Sequence, residues 1–184
     1  RFRISWRALA APSPERMRWV CGTEAVEVVP AHATGSMTPS IATARTPSAF
    51  LGGLRLMAVD GTTIDVADTP ENDRAFGRPT TKRGDGAFPQ MRVLALIETG
   101  THVICDAVIR PFRTGEIPTA LRLLRAVGPG MLLLWDRGFH SYAMVRTTRE
   151  REAEFLGRTK KNIVLRPTEI LADGSFLAQI YPSA

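Results

Sequence analysis

Cysteine is almost absent: Cys21 and Cys105 are the only two in 184 residues. A disulfide-stapled scaffold is therefore excluded, and a reducing compartment is the simpler expectation. No apolar run approaches the roughly 18 residues of a membrane span. The Arg-rich start leads into no signal-peptide core, so a cytoplasmic protein without membrane contact is expected. The three histidines, His32, His102 and His140, lack the mutual spacing of a zinc site. Ser141 beside His140 has no orienting carboxylate pattern, which sets aside a serine hydrolase. Neither a phosphate-cradling P-loop nor a dinucleotide glycine fingerprint occurs.

What is present is one domain's worth of chain with 44% hydrophobic residues, 24 Lys and Arg against 18 Asp and Glu, and a net charge of +6. Such an excess favours polyanionic partners. Residues 1–46 read as a basic, poorly ordered arm and linker. Arg1, Arg3, Arg7, Arg16 and Arg18 face only Glu15, with Trp6 and Trp19 nearby, and Pro30 to Ala49 is rich in Pro, Thr, Ser and Ala with no period. The chain opens on Arg1 and stops at Ala184 within a polar phrase, so a fragment of a longer protein is expected.

From Leu51 the pattern becomes that of a folded domain. Leu54 to Asp65 alternates around Asp60-Gly61 and predicts a strand, a tight turn and a second short strand. Residues 66–90 carry six Pro and Gly breakers and read as a surface loop with one helical turn around Glu71 to Phe76. Met91 to Ile97 and Thr101 to Ile109 predict an antiparallel hairpin. Thr114 is placed to cap a helix with Ile117, Ala120, Leu121 and Leu124 on one face, stopped by Gly128-Pro129-Gly130. Met131 to Trp135 is a continuous apolar run, as a strand covered on both faces requires. A helix over Ser141 to Arg149, a strand over Ala153 to Arg158 and a hairpin around Asp173-Gly174 within Ile163 to Tyr181 complete the order. This is an α/β chain with a mixed sheet flanked by helices.

Asp60 and Asp136 each end a predicted core strand, where side chains can converge outside the sheet. Two such carboxylates suit a hard divalent cation, Mg²⁺ or Mn²⁺, and two ions can hold both attacking and leaving oxygens of a phosphodiester displacement. Each also has a local explanation, since Asp60 precedes Gly61 in a turn and Asp136 precedes Arg137-Gly138.

The wording around these residues resembles the transposases of the insertion sequence 4 type, within the Asp-Asp-Glu superfamily. The matching phrases are Leu54 to Val66, Asp68-Thr69-Pro70-Glu71-Asn72, Phe76-Gly77, Phe88-Pro89-Gln90, Thr114-Gly115-Glu116 and Asp136-Arg137-Gly138-Phe139. They recur in order at family-like separations across 47–184. The resemblance implies an RNase H-like catalytic domain over 47–184, with a β-rich insertion beginning at its C-terminus. It places the first two catalytic, metal-holding carboxylates on Asp60 and Asp136. It further implies a two-metal Mg²⁺ or Mn²⁺ site, double-stranded DNA as partner at both element ends and target, and leaves a homodimer open.

The family's third carboxylate belongs to a later helix with the signature Tyr-x2-Arg-x3-Glu-x6-Lys, expected beyond Ala184. Tyr142, Arg146 and Glu150 imitate it with one residue too many between Tyr and Arg, and Gly157 stands where Lys is due. Glu150 is therefore expected to be an ordinary helix-surface residue. Glu116 opens the earlier helix, where a carboxylate suits the helix dipole, with a role behind the catalytic pair left open. Two basic stretches are candidates for phosphate contact. One contains Arg74, Arg78, Lys82, Arg83 and Arg92; the other runs from Arg146 to Arg166 and includes Arg158, Lys160 and Lys161. Two other readings remain. One is an inactive remnant that binds DNA without cutting it. The other is a haloacid-dehalogenase-type phosphatase, suggested by Val59-Asp60-Gly61-Thr62 and opposed by Ala58, which cannot serve as the nucleophilic Asp.

Overall fold

The computed structural model describes residues 3–5, 41–82 and 84–182. Apart from Arg3–Ser5, the basic arm with Trp6 and Trp19 lies outside them, as do most of the Pro30 to Ala49 stretch and Arg83. The described elements are β1 (Arg3–Ser5), β2 (Phe50–Leu51), β3 (Leu54–Asp65), α1 (Pro70–Phe76), β4 (Thr80–Thr81), β5 (Gly84–Asp85), β6 (Gln90–Glu98), β7 (Val103–Pro111), α2 (Glu116–Leu123), β8 (Met131–Trp135), α3 (Tyr142–Glu150), β9 (Glu154–Gly157), β10 (Pro167–Ile170) and β11 (Phe176–Gln179). They fall into two compact units, one over 27–160 and one joining 1–26 to 161–184.

In the first unit the sheet runs β7-β6-β3-β8-β9, with β2 folded back on β3 through Gly52 and Gly53, both at positive φ. β3 pairs antiparallel with β6 and parallel with β8, and β9 continues parallel to β8. The crossovers β7–α2–β8 and β8–α3–β9 advance across the sheet in one direction. Right-handed connections therefore bring both helices to the same face, and α2 packs against α3, β6 and β7. Under them Met57, Leu94, Leu96 and Leu133 are fully buried. On the central strands the alternate residues Ala58, Ala95 and Leu132 are buried as well, whereas Ile109 on β7 and Leu156 on β9, toward the two sides of the sheet, are exposed. Among the described residues no helix is long and apolar enough to cross a membrane.

Three local expectations change. Leu54 to Asp65 is a single twelve-residue strand, with no turn at Asp60-Gly61. β6 offers an unbroken antiparallel partner from Met57 to Asp65, and Gly61 is not among the glycines at positive φ. A continuous ladder outweighs the local turn preference of an Asp-Gly step. The N-cap of α2 is Gly115 without a side-chain cap bond, because Thr114 already belongs to a turn in which its N–H reaches Pro111 O at 2.9 Å. Of the expected face Ala120 and Leu124 are fully buried and Ile117 and Leu121 half-buried, with Thr119 and Leu123 buried beside them. Thr119 tolerates burial because its hydroxyl donates to Gly115 O at 2.9 Å. Finally, part of the expected linker is tied to the fold: Ala42 N–H donates to Glu98 Oε2 at 3.0 Å, and Ala49 is fully buried.

The other expectations appear close to their predicted positions. α1 begins at Pro70 with Thr69 accepting from Asn72 N–H, and α3 begins after Ser141, which accepts from Met144 N–H. β8 is buried over most of its length. Trp135 at its end stacks on Phe155 with ring centroids 5.0 Å apart. Gly157 leaves the room for that indole, since a Cβ there would stand 2.2 Å from Trp135 Nε1. In the second unit β11 lies between β1 and β10, antiparallel to both, and the β10–β11 hairpin turns at Asp173-Gly174.

Candidate active site

β3 and β8 each emerge from the core at a carboxylate. On β3, Met57, Ala58 and Val59 are buried and Asp60 is exposed; on β8, burial ends at Trp135 and Asp136 is exposed. An ionised side chain one position earlier would lose its hydration without a partner. The parallel register pairs Ala58 with Leu134. Two further steps along each chain lead to Asp60 and Asp136, so the two aspartates occupy equivalent levels of neighbouring strands, which are spaced about 4.8 Å apart.

Each aspartate is fixed by one oxygen only. Asp60 Oδ1 accepts from Gly61 N–H at 2.8 Å, and Asp136 Oδ1 accepts from Gly138 N–H at 2.7 Å. The second bond closes a short Asx-type turn. Neither Oδ2 accepts a hydrogen bond from a described residue, so each carboxylate keeps an oxygen for a ligand. Among the described residues no three His, Cys, Asp or Glu side chains gather into a metal-holding group.

Glu116, at the start of α2, comes to the same turn. From the point where a Cβ on Gly138 would stand, Asp136 Oδ1 is 2.9 Å and Glu116 Oε2 3.7 Å away. A Cβ there would crowd Asp136 Oδ1 and come into ordinary contact with Glu116 Oε2. Glu116 Oε1 is held by Arg92 Nη1 at 2.5 Å. Arg92 reaches it from β6, with its guanidinium carbon 5.7 Å from the Phe112 ring centroid and Nη2 directed to Phe112 O at 3.4 Å. The sequence marked Glu116 as a helix-start residue with a role behind the two aspartates left open, and Arg92 as a loop cation. The Thr114-Gly115-Glu116 phrase was the signal available for their meeting.

The basic residues divide by how they are engaged. Arg78 is held within its own loop, bonding Asp68 at 2.5 Å, Asp73 at 3.1 Å and Ala87 O at 2.5 Å. These acidic partners raise its pKa further. Its role in the structure is to staple the loop. Arg74 lies 3.8 Å from Glu71 on the exposed side of α1, and Lys82 is exposed. Arg158 and Lys161 are exposed, and Lys160 is half-buried. Glu150 pairs with Arg146 one helical turn back on the exposed face of α3, at 2.7 Å.

Behind the Asp136 turn lies His140, 4% exposed, with Nδ1 lacking a hydrogen-bond partner. Burial, reinforced by the positive charge of Lys160, holds its pKa below the ordinary value. The folded protein thus binds fewer protons here than the unfolded chain, whose imidazole titrates near about 6.5. The stability this contributes is complete above that value and is lost as the pH falls below it. The urea midpoint is expected to decline between about pH 7 and pH 5, and to decline less in His140→Gln. Equal slopes in the two proteins would contradict this role.

Residues 51–180 match the transposase DDE domain. The chain belongs to that family. The transposase domain is also 32% identical over 100 residues to the transposase InsG for insertion sequence element IS4 of Escherichia coli strain K12, covering 54% of this chain and 23% of InsG. It is 31% identical over 100 residues to InsZ of the same strain, a protein named as a transposase, covering 54% of this chain and 33% of InsZ. The matched segment thus spans a third or less of these relatives. The cryo-EM structure of the piggyBac transposase synaptic complex with hairpin DNA superposes with a TM-score of 0.36 at 12% identity, over 59% of this chain and 23% of its own. Both Asp60 and Asp136 fall inside the segment that matches the transposase DDE domain.

Proposed function

We propose that this transposase domain performs phosphodiester hydrolysis and strand transfer on DNA, with Asp60 and Asp136 as its metal-holding carboxylates. What supports this reading is that β3 and β8 are parallel neighbours, each with an exposed aspartate where its buried run stops and one oxygen of that aspartate uncommitted. Residues 47–184 would form the catalytic domain, RNase H-like in its order of strands and helices, with the β10–β11 hairpin opening a β-rich insertion.

The residues fit the expected cation. Mg²⁺ is commonly held by one or two carboxylates with water and substrate phosphate completing its shell, and two oxygen donors open to solvent are what Asp60 and Asp136 present. When bound, such a cation supplies Lewis acidity to the phosphodiester and its nucleophile. In the first reaction, water attacks phosphorus at the element end, its proton passes to solvent, and the bond to the 3′ oxygen breaks. In the second, the freed 3′ hydroxyl attacks a target phosphodiester and expels the target's own 3′ oxygen. The protein's part is to hold both substrates against the strand ends. Arg74, Lys82, Arg83, Arg158, Lys160 and Lys161 are the proposed phosphate contacts, with two copies of the chain serving two element ends.

The test is nicking of a supercoiled plasmid bearing the element ends, by the full product of the reading frame encoding these residues, with Mg²⁺, Mn²⁺ or chelator. Cation-dependent nicking is expected. Binding without cleavage would replace the enzyme reading by that of a DNA-binding remnant. DNA affinity should fall steeply with salt as phosphate contacts release counterions, and Lys160→Gln with Lys161→Gln should lessen the slope by about two. A slope unchanged by that pair would remove them from the interface.

A further inference from the structure

We infer that Glu116 tunes the cation affinity of the Asp60 and Asp136 pair through its charge, and that Arg92 sets how much of that charge the site feels. The inference rests on the reading of Asp60 and Asp136 given above. Glu116 is not merely a residue at a helix start, because its two oxygens have different surroundings. Oε1 is bound by Arg92, whereas Oε2 accepts no hydrogen bond from a described residue and points to the Gly138 turn that positions Asp136.

The arrangement has a direct electrostatic consequence. A carboxylate just across the Gly138 position from Asp136 adds negative potential where a divalent cation would bind, and the Arg92 guanidinium on its far oxygen subtracts from it. Arg92 is itself restrained by Phe112, through its ring and its carbonyl, and its side chain is 15% exposed. Its charge is therefore not freely carried away into solvent. Glu116, with one oxygen held by Arg92, is thus a positioning residue for the cation site rather than a ligand.

The two residues should shift cation binding in opposite directions, a pattern that loss of packing would not produce. Mn²⁺ binding to the 184-residue chain, followed by paramagnetic resonance of free Mn²⁺, is the measurement. Glu116→Gln is expected to weaken binding and Arg92→Gln to strengthen it, each by roughly three- to tenfold for a partly screened charge against a divalent ion. Arg92→Lys, which keeps the charge, should restore the wild-type affinity, and circular dichroism would verify that each variant is folded. If Asp60→Asn and Asp136→Asn abolish binding while Glu116→Gln or Arg92→Gln leaves it unchanged, this inference alone is overturned. If the wild type binds no Mn²⁺, or the Asp variants bind as it does, the metal-site reading falls and takes this inference with it.

Discussion

Asp136→Asn is expected to lower cation-dependent DNA cleavage by at least about 10²–10³-fold, the scale on which loss of a preorganised charge in a catalytic site is usually felt. Asp60→Asn should do the same. Asparagine is the informative replacement because its side-chain oxygen can still accept from Gly138 N–H or Gly61 N–H, so the local turn survives while the negative charge is lost. The effect should therefore appear in the rate of nicking under single-turnover conditions and not in the amount of DNA bound. Both aspartates are exposed, so neither substitution strips a partner from a buried ion. Wild-type cleavage by either variant would remove that residue from the active site.

The largest effect on stability is expected at Glu98. This side chain is fully buried, and Arg55 Nε meets its Oε1 at 2.6 Å. Its other oxygen accepts from Thr101 Oγ1 at 2.5 Å and from Ala42 N–H at 3.0 Å. Glu98→Ala would leave a guanidinium and two donors without their acceptor under the helices, a loss of about 3–5 kcal/mol on the scale of broken buried pairs. Domains of this size hold roughly 5–15 kcal/mol in all, so the variant should unfold at a much lower urea concentration. Replacing both partners, Arg55→Met with Glu98→Leu, should cost far less, because no buried charge is then left alone. A single variant as stable as the wild type would mean that water reaches Arg55.

The same pair explains why residues 41–49 could not be recognised as part of the fold. Composition correctly describes that stretch as lacking any period, but its attachment depends on an acceptor 56 positions away, Glu98 Oε2. Local pattern carries no information about such a partner. The strand at Leu54 to Asp65 shows the complementary case. Its alternation was legible, whereas its continuity through Asp60-Gly61 depended on β6 lying alongside for the full length.

By itself the sequence determined which segments are buried, in what order strands and helices follow, and which two carboxylates stand where apolar runs stop. Those properties are local: hydrophobic period, chain-breaking residues, and the abrupt change from Trp135 to Asp136. The motif phrases added the family, and residues 51–180 bear it out. Only the tertiary structure decided that β8 lies parallel beside β3 at a register that brings Asp60 level with Asp136. It alone carried Glu116 to the Gly138 turn and held it there by Arg92. It also withdrew Arg78 from the pool of free cations by setting Asp68 and Asp73 around it. Charge is a property of a residue, but the charge a ligand feels is a sum over neighbours, and those neighbours are assigned by the fold.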